Sequence, residues 1–152
     1  MNKKRILCLC LIGLNLALIW GSSSMNGEQS AAFSGWVGSL IDWLFPGADA
    51  SGGGAGHGVL RKVAHFTEFC TLGMLFSWLA RMTCKERWLK RLSPLASGVL
   101  VACVDETIQL FVPGRAGLLT DVGIDTLGCT LGIVLITLFF YVRRKFLEET
   151  NL

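Results

Sequence analysis

Ionisable residues recur inside long apolar stretches of this sequence, and their spacing places them on shared helix faces. His65 and Glu68 are three residues apart, Asp105 and Gln109 are four apart with Glu106 beside them, and Asp121 and Asp125 are four apart. On a helix turning 100° per residue, the first pair is about 60° apart and the other two are about 40° apart. Each pair can therefore point into one space. His65, Glu68 and Asp105 are the candidate catalytic groups, because an imidazole or carboxyl in an apolar setting can serve as acid or base. His65, Glu68, Asp121 and Asp125 are the candidate metal ligands. A divalent metal is the one cofactor these side chains would admit, and the dominance of carboxylates favours the harder ions among Mg²⁺, Mn²⁺ and Zn²⁺. The ligand-binding set is Lys62, His65, Glu68, Asp105, Glu106, Gln109, Arg115, Asp121 and Asp125. There is no serine-nucleophile motif and no glycine-rich nucleotide loop, so no reaction is specified.

The elements that carry these groups are membrane-like. Apolar residues make up 52% of the 152 and charged residues 16%, against about 25% charged in a soluble domain. A net charge of +3 is too small to argue for nucleic acid. Membrane lipids are the expected surroundings. Of six cysteines, five lie in apolar runs and none forms a C-x-x-C pair, so they are expected to be small buried hydrophobes.

Four helices are expected to cross, at about 6–24, 59–80, 92–112 and 118–142, since about 20 residues span a bilayer. The first resembles a signal peptide in its basic flank and short apolar core. No small-residue cleavage site follows, and a retained helix is expected. Residues 33–45 are too short to span. Trp36 and Trp43 suit a short helix lying at the headgroup level. Glycines crowd 51–58, which reads as a flexible connection. The fold class is therefore all-α: a polytopic membrane protein, one domain over 1–152, with four transmembrane helices and an interfacial helix in the first extracellular loop. Lys and Arg sort to one side: Lys3, Lys4, Arg5, Arg81, Lys85, Arg87, Lys90, Arg91, Arg143, Arg144 and Lys145 against Arg61, Lys62 and Arg115. That bias places both termini in the cytoplasm of a multi-pass cell-membrane protein.

With this orientation the polar groups share a depth. Asp105 and Asp125 each lie about 10 Å below the outer ends of their helices. A carboxylate at mid-membrane costs about 2.5–3.5 kcal/mol on insertion scales. Five acids (Glu68, Asp105, Glu106, Asp121, Asp125) face three permanent cations (Arg61, Lys62, Arg115). The excess calls for protons, a cation or rim water. Arg115 follows a Pro113-Gly114 turn and is expected to fold over the cluster as a lid, with its fork on Asp121, Asp125 or a bound ligand. Gly128-x-x-x-Gly132 is a candidate for close helix approach. The Ser22–Ser24 run and Gln29-Ser30 read as ordinary loop polarity on composition.

At these residues the sequence resembles a known family. Arg61-Lys62-Val63-Ala64-His65-Phe66-Thr67-Glu68-Phe69 resembles the second-helix motif of the VanZ-like family. Asp105-Glu106-Thr107-Ile108-Gln109 through Pro113-Gly114-Arg115, with Asp121 and Ile124-Asp125-Thr126-Leu127-Gly128, is similar to its second signature. Ser22-Ser23-Ser24 with Gln29-Ser30 is similar to the Ser-Ser-Gln stretch after that family's first helix. The resemblance implies a small integral membrane protein of Gram-positive type, and its namesake lowers susceptibility to the lipoglycopeptide teicoplanin. It implies no agreed catalytic activity. Two functions are therefore expected. One is binding or reorganising a lipid, cell-wall precursor or lipoglycopeptide at the outer leaflet, with a contribution to teicoplanin resistance. The other is a membrane-embedded hydrolase or transferase on a lipid-linked substrate that uses the His/Glu/Asp cluster with a divalent metal. Transport would require an oligomer, since four helices enclose little space.

Overall fold

The computed structural model describes residues 2–46 and 53–150, with side chains in the third helix from residue 58 onward. Among the described residues the chain is all-helical: α1 (Lys3–Ser23), α2 (Gly27–Leu44), α3 (Gly53–Thr83), α4 (Arg87–Leu110) and α5 (Leu119–Thr150).

Helix ends depart from the expected bounds for identifiable reasons. An apolar run marks where lipid would end, not where hydrogen bonding stops. α4 accordingly begins in the basic loop at Arg87, and α5 runs on through Arg143 and Arg144 to Thr150, because Arg, Lys and Glu are good helix formers. α2 starts at Gly27 rather than at 33. Asn26 and Gln29 cap it reciprocally: the Gln29 amide donates to Asn26 Oδ1 at 2.8 Å, and the Asn26 amide donates to Gln29 Oε1 at 3.2 Å. Part of the glycine-rich stretch also departs from a flexible connection. Residues 53–58 are helical, while Ser51 and Gly52 lie outside the described residues.

Three segments are long and apolar enough to cross a membrane: Lys3–Ser23, Gly58–Thr83 and Leu119–Thr150. α4 is less apolar overall, because Arg87, Lys90 and Arg91 occupy one end and Asp105, Glu106 and Gln109 the other. Its outer face is nonetheless apolar, with Leu100 66% exposed, comparable to Leu14 at 60% and Val134 at 55%. Apolar residues thus cover the outside of the bundle. A soluble protein does not expose a surface of this kind.

The core sits between α1, α3, α4 and α5, around Ile12, Ile19, Phe69, Leu72, Val101, Ala102 and Cys129. All six cysteines are free; Cys8, Cys70 and Cys129 are buried, whereas Cys10 and Cys103 face outward. α3 and α5 run parallel and nearly touch along their backbones. A Cβ on Gly132 would meet the Cys70 carbonyl oxygen at 1.9 Å, on Gly128 that of Phe66 at 2.5 Å, and on Gly73 that of Cys129 at 2.1 Å. The small residues therefore fix the helix separation. α1 runs against α3: Cys8 Sγ reaches the Leu75 carbonyl at 3.5 Å, and the Arg5 guanidinium donates to the Met82 carbonyl. Ser23 at the other end of α1 meets α4 near its C-terminus. Four helix ends therefore meet at one end of the bundle: the C-termini of α1 and α4 and the N-terminal halves of α3 and α5.

Candidate functional site

That end holds the ionisable residues, and the structure sorts them into three kinds. The first is a buried cluster. Asp105, fully buried on α4, is held by two donors on Oδ2: Ser23 Oγ at 2.8 Å and Gln109 Nε2 at 3.0 Å. His65 on α3 brings Nδ1 to 3.8 Å from the same oxygen, and Asp125 on α5 is 2% exposed. One ligand-type atom from each of His65, Asp105 and Asp125 lies within 4.8 Å of the other two. Buried atoms without a partner include His65 Nε2, Glu68 Oε2, Asp105 Oδ1 and Asp125 Oδ2.

The second kind is engaged in structure. Glu106 has both oxygens occupied: Oε2 accepts from the Leu118 amide at 2.8 Å and Oε1 from Gln109 Nε2 at 3.2 Å. It ties the end of α4 to the start of α5. Asp121, expected among the metal ligands, stands outside the three-residue cluster and pairs with Lys62 at 2.9 Å, with Lys62 45% exposed. An exposed ion pair of this kind is worth little.

The third kind is the arginine. The fork of Arg115 is expected on Asp121, Asp125 or a bound ligand, and it reaches neither aspartate. Instead Nη2 donates to the Ser22 carbonyl at 2.7 Å, Nε to the Met25 carbonyl at 3.1 Å and Nη1 to Gln109 Oε1 at 3.4 Å. Ser22 O belongs to the last turn of α1, where helix carbonyls lack intrahelical partners and a cation is favoured. Gly114, at φ +75°, makes the turn that brings Arg115 there. Burial lowers the Arg115 pKa from its ordinary value, and Arg61 adds to the effect; the group remains a cation at any working pH. Lysine cannot span three acceptors. Arg115→Lys is therefore expected to destabilise the protein by about 1–3 kcal/mol, read as thermal unfolding in detergent. An unchanged unfolding temperature would mean the fork is dispensable.

Two cavities flank the cluster, and His65 and Arg61 line both. One, about 10 Å³, lies against His65, Gln109 and Asp125 and has room for about one water. The other, about 140 Å³, opens beside α2. Its lining is mixed, with Arg61, Arg115, His65 and Glu68 among the polar residues and Phe33, Val37 and Leu60 among the apolar ones. With His65 neutral, the charged groups of the lining sum to one net positive charge. α2 faces it with Ser30 and Ser34, both buried, while Trp36 and Trp43 point outward at 64% and 75% exposure.

Arg61, Ser23, Ser30 and Ser34 were missed as site residues. Ser30 and Ser34 had a readable signal, small polar residues four apart on a capped helix. Ser23, Asp105 and His65 do not form a nucleophile triad, because His65 lies beside the carboxylate rather than between it and the hydroxyl, and Ser23 is fully buried.

Fold and site together define a small helical membrane protein with a buried polar cluster at one end of its bundle. The pattern of the VanZ/LLP1 family matches residues 6–140, and the chain belongs to that family. No curated protein and no solved structure matches it.

Proposed function

We propose that this protein binds the anionic headgroup of an envelope lipid at the outer leaflet of the cell membrane, in the cavity between α2 and α3. The observation that carries this reading is the cavity lining, which combines two guanidinium groups, Arg61 and Arg115, with apolar side chains. A phosphate headgroup on a hydrocarbon tail matches this lining, since Arg61 can bind phosphate through parallel hydrogen bonds while Arg115, held on Ser22, Met25 and Gln109, adds its positive charge. Phospholipids and polyprenyl-linked cell-wall precursors share that chemistry. At about 140 Å³ the cavity suits a headgroup, being smaller than the roughly 300–1,000 Å³ that drug-sized ligands occupy. A whole lipoglycopeptide would not enter it. Any contribution to teicoplanin resistance would then act through the lipid or precursor that is held.

In this reading α4 is the fourth crossing, running between apolar helices with an apolar outer face. α2 lies at the outer interface, anchored by Trp36 and Trp43. Both termini are cytoplasmic, because the end away from the site carries eleven of the fourteen Lys and Arg residues. The hydrolase or transferase alternative draws on one observation, the His65–Asp105–Asp125 cluster beside the cavity.

The test is competition between lipids. Purified protein in mixed nanodiscs should retain phosphatidylglycerol over phosphatidylcholine in native mass spectra, and Arg61→Gln should reduce that preference at least about ten-fold, the equivalent of about 1.4 kcal/mol. No preference in the wild type would remove the headgroup reading. Cysteine labelling at Phe45 and Lys85 should report opposite sides; labelling from one side alone would overturn the topology.

A further inference from the structure

We infer that His65, Asp105 and Asp125 form a binding site for one divalent transition-metal ion, zinc or manganese. The site does not depend on the headgroup reading.

The three side chains come from three different helices and converge with ligand-type atoms within 4.8 Å of one another. Two donors on one tetrahedral zinc, each about 2.1 Å from the metal, are about 3.4 Å apart. Closure onto an ion therefore needs movement of up to about 0.8 Å per side chain. All three residues are more than nine-tenths buried, at 8%, 0% and 2% exposure. Each nevertheless keeps a buried atom without a partner: His65 Nε2, Asp105 Oδ1 and Asp125 Oδ2. Native structures rarely leave such atoms unmatched.

The surroundings separate these groups from an ordinary acidic patch. Ser23 and Gln109 grip Asp105 through Oδ2 alone, which orients the carboxylate and leaves Oδ1 free. Outer partners of metal-binding carboxylates act in this way. The nearby acid that is fully used, Glu106, spends both oxygens on Gln109 and the Leu118 amide. Of the nearby cations, Lys62 pairs with Asp121, Arg115 donates to the carbonyls of Ser22 and Met25, and Arg61 lines the water-sized cavity. Among the described residues none of the three forms an ion pair with Asp105 or Asp125. A divalent ion would balance the two carboxylates, giving a neutral centre with a neutral imidazole. One nitrogen and two carboxylate ligands suit zinc or manganese better than a harder ion bound by oxygen alone. Three protein ligands leave a coordination position open, and the water-sized cavity against His65 and Asp125 gives room for the water that would fill it.

The experiment uses the full chain in detergent, stripped with chelator and then equilibrated with zinc or manganese chloride. Bound metal is counted by mass spectrometry after gel filtration. One ion per chain is expected for the wild type. His65→Gln and Asp125→Asn, both close in shape to the original, should each weaken binding by more than about ten-fold, and Gln109→Leu by about 10–100-fold. Asp121→Asn should bind as the wild type does. Failure of the wild type to take up either ion would overturn the site, and so would undiminished uptake in both His65→Gln and Asp125→Asn variants that retain wild-type helicity and elution. Lipid preference is measured separately in chelator, so loss of one property is distinguishable from loss of the other.

Discussion

Gly132→Val is expected to force α3 and α5 apart and to cost about 3 kcal/mol. Lipid tails are as apolar as leucine, so helices in a membrane gain little from burying apolar surface against each other. Close packing must supply the difference, and in this bundle the glycines allow it. A Cβ on Gly132 would sit 1.9 Å from the Cys70 carbonyl oxygen and 2.8 Å from its carbon. Those are backbone atoms within a long helix and cannot swing aside as a side chain can. Gly123, on the same helix, is the internal control: nothing lies within 4 Å of its Cβ position. Gly123→Ala should leave the protein unharmed or stabilise it by up to about 1 kcal/mol through helix propensity. Reversible unfolding in detergent, or resistance to unfolding in a mild-to-harsh detergent series, reads both. Equal stability of Gly132→Val and wild type would mean the helices are not held at this spacing.

Asp105→Ala is the second large effect. It removes the acceptor that Ser23 Oγ and Gln109 Nε2 share, leaving the serine hydroxyl orphaned while Gln109 keeps its bond to Glu106. In water-soluble proteins an orphaned group costs about 1–3 kcal/mol. Interhelical hydrogen bonds in membranes average about 0.6 and reach about 1.7 kcal/mol, since the unfolded chain in lipid also finds partners. Removing one of two neighbouring carboxylates relieves some repulsion with Asp125, which favours the lower end. A loss of about 2 kcal/mol is expected. Asp105→Asn should lose less, because its amide oxygen still accepts from both donors. Ser23→Ala should lose less again. A ranking with Ser23→Ala worst would show that the serine, not the aspartate, organises the end of the bundle.

The sequence revealed the ionisable half of the site because charge inside an apolar run is expensive and therefore visible. His65, Asp105 and Asp125 stood out for that reason, and their helical spacing put them at one depth. Ser23 did not stand out by its chemistry, because a serine costs little in any helix. Its contact with Asp105, 82 residues away, gives it a role at the site. Arg115 is conspicuous, but the sequence does not reveal the groups that hold it. Two of its acceptors are the Ser22 carbonyl in the last turn of α1 and the Met25 carbonyl just beyond it, and a backbone carbonyl leaves no mark in a sequence. The aromatic residues of α2 mark only its second half, whereas its start is marked by Asn26 and Gln29, a capping pair legible three residues apart. The Gly128–Gly132 spacing was readable as close approach, whereas its partner on α3, Gly73, lay in a helix where no repeat pointed to it.

Photo-crosslinking from Val37 tests headgroup-lipid binding most directly. Val37 is one of the apolar residues that line the cavity, and a photoreactive residue there would touch whatever lipid occupies it in living membranes. Leu100, 66% exposed on the outer face of α4, serves as a general lipid-facing control. Capture of a phosphate-bearing lipid at Val37, well above that at Leu100 and reduced by Arg61→Gln, is the expected result. Equal capture at both positions, with the same lipid profile and no response to Arg61→Gln, would contradict a headgroup site beside α2.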